Sequence, residues 1–190
     1  MTITTIPKTG RIGRFAKIIE KELGQKILMT VIQGTETYDS YKTSEKSSWW
    51  KSAIAKLENG VGIKKAEEIM KLCGQKCCGR GIRKTAKRLM NESKSIEEFL
   101  KKASTDGLKE GEVEYKLKDK NTITGTFNRC FCKQVSQANT PFKNKTYCQC
   151  SAEFHKQYFE AALEKPVKVE IKQSIICGAK TCEFIIHIGK

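Results

Sequence analysis

Apolar residues recur at three- and four-residue steps through most of the first hundred positions and at every second position from about residue 111, so the chain passes from helical to strand character part-way along. Ile12, Phe15, Ile18, Ile19 and Leu23 form one stripe, which predicts a helix over Arg11–Leu23 with Gly24 as its closing residue. Leu28–Ile32 fits a strand or a helix, and the Thr/Ser-rich stretch Gly34–Ser48 reads as a polar connection. Further stripes predict helices over Trp49–Leu57, Ile63–Leu72 and Gly81–Asn91, with Gly74 in left-handed conformation closing the second of these. Ser95, followed by Glu97 and Glu98, caps a short helix reaching about Ala103.

Val113, Tyr115 and Leu117 then alternate with charged residues, Asp119–Asn121 supplies a turn, and Ile123–Phe127 completes a hairpin. A polar loop of about residues 134–146 leads to a helix over Ala152–Leu163, capped by Ser151 and stopped at Lys165-Pro166. Two last strands follow, one carrying Val167, Val169 and Ile171 on a single face and the other Cys182, Phe184, Ile186 and Ile188. The expected architecture is α+β: a helical N-terminal layer, residues 1–106, packed on a C-terminal antiparallel sheet, residues 107–190, as one integrated domain.

Composition sharpens this picture in two places. The formal charge of +15 invites a nucleic-acid reading, but the excess is spread along the chain. The densest patch is Lys76, Arg80, Arg83, Lys84, Lys87 and Arg88, which predicts at most weak, non-specific nucleic-acid binding. Met1–Phe15 has no leader-like apolar run, and no stretch approaches the roughly 18 apolar residues of a membrane span, so the expectation is a cytoplasmic protein with reduced thiols. At 190 residues the chain can bury a core without disulfides.

The nine cysteines fall in clusters: Cys73 with Cys77 and Cys78, Cys130-x-Cys132, Cys148-x-Cys150, and Cys177 with Cys182. Two C-x-C pairs at element boundaries can together supply the four thiolates that zinc, or alternatively an iron–sulfur cluster, requires. The expected ligands are therefore Cys130, Cys132, Cys148 and Cys150, aided by Cys73 or Cys77, against the plainer reading of small buried thiols. Cys78 precedes a helix whose positive end would favour thiolate, which makes it a candidate reactive thiol. His155 and Glu153 are candidates for a further ligand or for proton transfer.

The end of the chain also carries a particular order of residues: Cys148-x-Cys150, an aromatic helix ending in Phe159-Glu160-x-x-Leu163, a valine strand, Ser174-Ile175-Ile176-x-Gly178, and Cys182-x-Phe184-x-Ile186. That order resembles the end of 4-vinyl-reductase-type (hydrocarbon-binding) domains, of bacterial L-2-amino-thiazoline-4-carboxylic acid hydrolases, and of small cysteine-rich proteins of anaerobes. The likeness spans about residues 122–188, with an echo at Ile69-Met70-x-x-Cys73-Gly74-x-x-Cys77. It implies a twisted antiparallel sheet with helices on one side, a pocket for a small or apolar ligand, and often a cysteine-bound metal. Where many such domains have a cysteine four residues before the turn glycine, this chain has Ser174, and Cys177 either takes over or simply packs. Strand alternation and the face of the last helix place Phe127, Phe131, Tyr158 and Phe184 around the expected pocket. Two functions follow: a metal-bearing protein that binds or transforms a small, partly apolar ligand, or a basic nucleic-acid-binding regulator with structural or redox-sensing cysteines.

Overall fold

The computed structural model describes residues 9–189; the expectation drawn from Met1–Phe15 falls partly outside them. Five helices come first: α1 (Gly10–Val31), α2 (Thr43–Val61), α3 (Ile63–Gln75), α4 (Arg80–Asn91) and α5 (Ile96–Thr105). The hairpin β1 (Val113–Asp119) and β2 (Thr122–Phe127) follows, then an irregular segment, α6 (Gln149–Leu163), and the strands β3 (Val167–Gln173) and β4 (Cys182–Ile188). The strands form one antiparallel sheet in the order β1-β2-β4-β3, the α+β arrangement expected. No helix among the described residues is long and apolar enough to cross a membrane.

The core has two main parts. One gathers α1, α2 and α3 around Phe15, Trp50, Leu57 and Ile69, with Tyr147 reaching in from the irregular segment. The other sandwiches Phe99, Leu100 and Phe159 against Ile123 and Ile186 of the sheet. Burial of these large side chains supplies the main driving force, each worth about 1.5–3 kcal/mol. Gly125 of β2 pairs in register with Tyr115 of β1, and a Cβ there would come within 2.9 Å of the Tyr115 ring, so the missing side chain makes room for the phenol.

Three boundaries differ from the sequence expectation, each for a local reason. Gly24 takes positive φ (81°), but the chain resumes helical geometry beyond it, so Leu28–Ile32 completes a kinked α1 rather than a strand. The Ser/Thr-rich segment is helical from Thr43, and its hydroxyls are accommodated by bonding back along the helix, Ser47 Oγ to Thr43 O and Ser48 Oγ to Ser44 O, both at 3.0 Å. Glu45 Oε2 also accepts from Lys42 N at 2.7 Å, securing the first turn. The last helix begins at Gln149, after a 3₁₀ turn over Lys145–Cys148, so Cys148 and Cys150 sit on a helical start and not on a strand.

Gly74 does not close α3 in left-handed conformation, as expected, but lies inside it facing α6. A Cβ at this position would stand 2.5 Å from Cys150 O and 2.8 Å from Glu153 Cβ. The two helices therefore cross at backbone contact. Gly74→Ala should cost about 1–3 kcal/mol by forcing the helices apart. Gly81→Ala, where a Cβ meets nothing within 4 Å, should be neutral or slightly stabilising. Urea unfolding of both variants checks this; an unperturbed Gly74→Ala protein would contradict the close crossing.

Candidate functional site

Between α6 and the sheet, roofed by α4 and the segment that joins α5 to β1, lies a cavity of about 650 Å³. That volume falls in the usual range for small-molecule sites. Five rings line it: Tyr115 and Phe127 from the hairpin, Phe131 from the segment after it, Phe154 and Tyr158 from α6, with Ile82, Ala103, Leu108 and Val113 adding aliphatic surface. Exposed Gly81, Ile82 and Asp106 line it where it meets solvent.

At another part of the lining stand Arg11, Cys77, Cys132 and Cys150. Arg11 comes from the first turn of α1, a turn with no acidic residue. Its Nη1 donates to Cys132 Sγ at 3.4 Å, Tyr147 Oη at 3.3 Å and Cys150 Sγ at 3.8 Å, and Nη2 donates to Cys77 Sγ at 3.6 Å. These contacts are long beside the roughly 2.7–2.9 Å of a charge-assisted bond, and sulfur is a weak acceptor. Among the described residues Arg11 makes no ion pair. Burial opposes its charge, but negative charge on Tyr147, Cys132, Cys150 or Cys77 would favour it, and the net shift is upward, so it stays cationic. Burial pushes the Cys150 thiol up to about 12 and the Tyr147 phenol well above its ordinary value.

His155 also lines the cavity, 2% exposed and packed between Phe127 and Phe184 at ring-centroid distances of 5.1 and 4.5 Å. Its Nδ1 lies 2.6 Å from Ser151 O, and a carbonyl only accepts, so Nδ1 carries the proton. Nε2 has no hydrogen-bond partner among the described residues. No buried polar side-chain atom is orphaned there either, so Nε2 reaches the open space of the cavity. The site thus combines a cation, three thiols and one bare imidazole nitrogen with apolar walls.

The expected site residues divide. Phe127, Phe131 and Tyr158 line the cavity, whereas Phe184 stands behind His155. Cys148 and Cys150 diverge because residues two apart on a helix point about 200° from each other. Cys148 Sγ pairs with Ser174 Oγ at 3.1 Å, while Cys150 faces Arg11. Cys130 and Cys73 are shielded thiols, pushed by burial to about 11 and about 12. Among the described residues no three Cys, His, Asp or Glu side chains are arranged to hold a metal ion, and a guanidinium occupies the point on which Cys77, Cys132 and Cys150 converge.

Cys78 differs from expectation in its electrostatics: it is 1% exposed, and burial raises its pKa although Arg83 partly offsets this. Glu153 is buried at the α3–α6 crossing and accepts from Gln157 at 3.2 Å, off the cavity lining. Cys182 packs in the core as a thiol that accepts from Ile175 N at 3.4 Å, and Cys177 Sγ donates to Asn144 O at 3.3 Å. The basic face of α4 is exposed, but Lys87 and Arg88 are paired with Glu164 and Glu92. No aromatic side chain is exposed among the described residues, so no stacking platform accompanies it. Among the site residues that the sequence reading missed are Tyr115, Phe154 and above all Arg11, one lysine-or-arginine position among 36 with no motif around it.

Residues 13–189 match a family described as a family of unknown function, DUF6144. The chain belongs to that family. No curated protein matches it. Among solved structures it is similar in fold to an Fe(II) unliganded H-NOX protein mutant from K. algicida, at 13% identity, TM-score 0.53 and 95% coverage of both chains. An H-NOX protein from S. oneidensis in the Fe(II)NO ligation state gives 12% identity and TM-score 0.50, covering 95% of this chain and 98% of that one. Trafficking protein particle complex subunit 3 from Naegleria fowleri, covalently bound to palmitic acid, gives 12% and 0.50, covering 78% and 95%. At such identities the likeness is one of fold; the 4-vinyl-reductase resemblance is not among these matches.

His155 makes stability pH-dependent in a defined direction. Burial lowers its pKa from 6.5 to about 4, so on acidification the unfolded chain takes up the proton first. The contribution is intact above pH about 6.5 and is lost as pH falls toward 4, on the order of 3 kcal/mol in total. His155→Leu should flatten that part of the curve relative to the parent protein in unfolding titrations at pH 7 and pH 4.5. A His155 ring that titrates near 6.5 by NMR would contradict it.

Proposed function

We propose that this DUF6144 protein binds a small, partly apolar molecule in the cavity between α6 and the sheet. The observation that carries the reading is the cavity itself: about 650 Å³, ring-lined, with polar groups confined to a few positions. Apolar walls supply affinity by releasing water, and the isolated polar groups orient the ligand. Any transformation of the bound molecule would draw on the thiols of Cys77, Cys132 and Cys150 and on the bare imidazole nitrogen of His155, which share the lining.

An uncharged solvatochromic dye such as Nile red tests the cavity without engaging its charge. The protein should bind it with a blue-shifted emission. Thr85→Trp, on the partly exposed rim of α4, should weaken binding about tenfold or more while leaving the thermal midpoint unchanged. Equal binding by both proteins would place the dye elsewhere and sink the reading.

A second reading rests on His155. A buried neutral imidazole whose Nδ1–H is fixed by a carbonyl and whose Nε2 is bare has the form of a metal-ligating histidine. His155 could ligate an iron centre through that nitrogen, and the solved structures of similar fold include H-NOX proteins in Fe(II) states. If so, adding haem to the protein should give a sharp, saturable Soret shift that His155→Ala abolishes. An unshifted spectrum at stoichiometric haem would leave the organic-ligand reading alone.

A further inference from the structure

The cavity brings a cation to its lining without bringing an anion to meet it. Arg11 projects from the first turn of α1, where unpaired backbone N–H groups already make the surroundings positive and no acidic residue offsets them. Its four hydrogen-bond partners are three thiols and a phenol at 3.3–3.8 Å. Among the described residues Asp106 is the single carboxylate on the cavity lining, and it makes no ion pair with Arg11. A cation removed from water is costly until it is matched by a charge of opposite sign with short hydrogen bonds. The guanidinium fork is shaped to give two parallel bonds to a planar oxyanion.

From this arrangement, and resting on the ligand-binding reading above, we infer that the ligand is an anionic amphiphile whose carboxylate is held by Arg11 among Cys77, Cys132 and Cys150, with its apolar body against the aromatic walls. The unpartnered Nε2 of His155 supplies one acceptor on the same lining, so a hydroxyl or amine on the ligand body would find a partner there. The thiols serve as small, weakly polar packing around the head group. They leave the guanidinium N–H groups available, as a protein carboxylate at any of the three positions would not.

Isothermal titration with matched pairs tests this: decanoate against decanamide, and 2-naphthoate against 2-naphthamide. The parent protein should bind each carboxylate at least tenfold more tightly than its amide, and the preference should shrink in high salt. Arg11→Met, which keeps the apolar stem, should bind acid and amide alike and still take up Nile red; Arg11→Lys should retain part of the preference. Equal binding of acid and amide by the parent protein overturns the inference while leaving the cavity reading intact if Nile red binds. Failure of Nile red as well brings down the cavity reading. A thiolate absorbance near 240 nm at pH 7 that disappears in Arg11→Met would show the charge to be met from within the protein, and would equally overturn the inference.

Discussion

The backbone contact between α3 and α6 at Gly74 fixes the distance on which the site depends. With Cys150 O 2.5 Å from where a Cβ would stand, α3 can approach α6 only because residue 74 has no side chain. The same crossing sets the last turn of α3, with Cys73 and the following Cys77, beside the first turn of α6, with Cys150 and Ser151. Helix α1 then packs on α3 and α2 through Phe15, Ile19 and Trp50, which brings its first turn, and so Arg11, to the same place. Widening the crossing by one methyl group would shift the thiols and the guanidinium relative to each other by a large part of a hydrogen-bond length.

On that frame, apolar burial and isolated polarity oppose each other. The rings around His155 stabilise the fold by burial but strip the imidazole of water, so it stays neutral and its free nitrogen faces the cavity. Arg11 cannot neutralise itself in this way, because its proton is not lost at any ordinary pH. The described protein therefore holds an unmet charge and an unmet acceptor on one cavity lining. Both are costs to the empty fold, of the kind that a bound partner offsets by mass action.

The elements were largely legible because they depend on short-range patterns. Stripes such as Trp50, Ile54 and Leu57, the Ser95 cap that accepts from Glu98 N, and the alternation of Cys182, Phe184, Ile186 and Ile188 all appear in the structure as read. Gly24 and Gly74 were misread as helix ends, because a glycine that kinks a helix or admits a neighbour leaves the same mark in a sequence as one that closes it. The site was less legible. C-x-C spacing suggests paired ligands only if the segment is extended, and the early start of α6 at Gln149 turns Cys148 and Cys150 apart. Arg11 meets Cys132 and Tyr147 across more than a hundred residues, and no local pattern encodes such a meeting.

The contrast among the thiols gives them different work. Cys148, Cys177 and Cys182 each have a partner in the protein: Ser174, the Asn144 carbonyl and the Ile175 amide. They behave as small apolar side chains with one weak bond apiece. Cys77, Cys132 and Cys150 share a single cation, which their sulfurs can surround but only weakly bond, and Cys132 Sγ also pairs with Tyr147 Oη at 3.1 Å. A carboxylate in place of any of these three would pair Arg11 and stabilise the empty protein, yet it would also fill the guanidinium fork. Sulfur at these positions leaves the positive charge without a carboxylate partner, so an incoming anion would recover on binding part of the stability given up at Arg11.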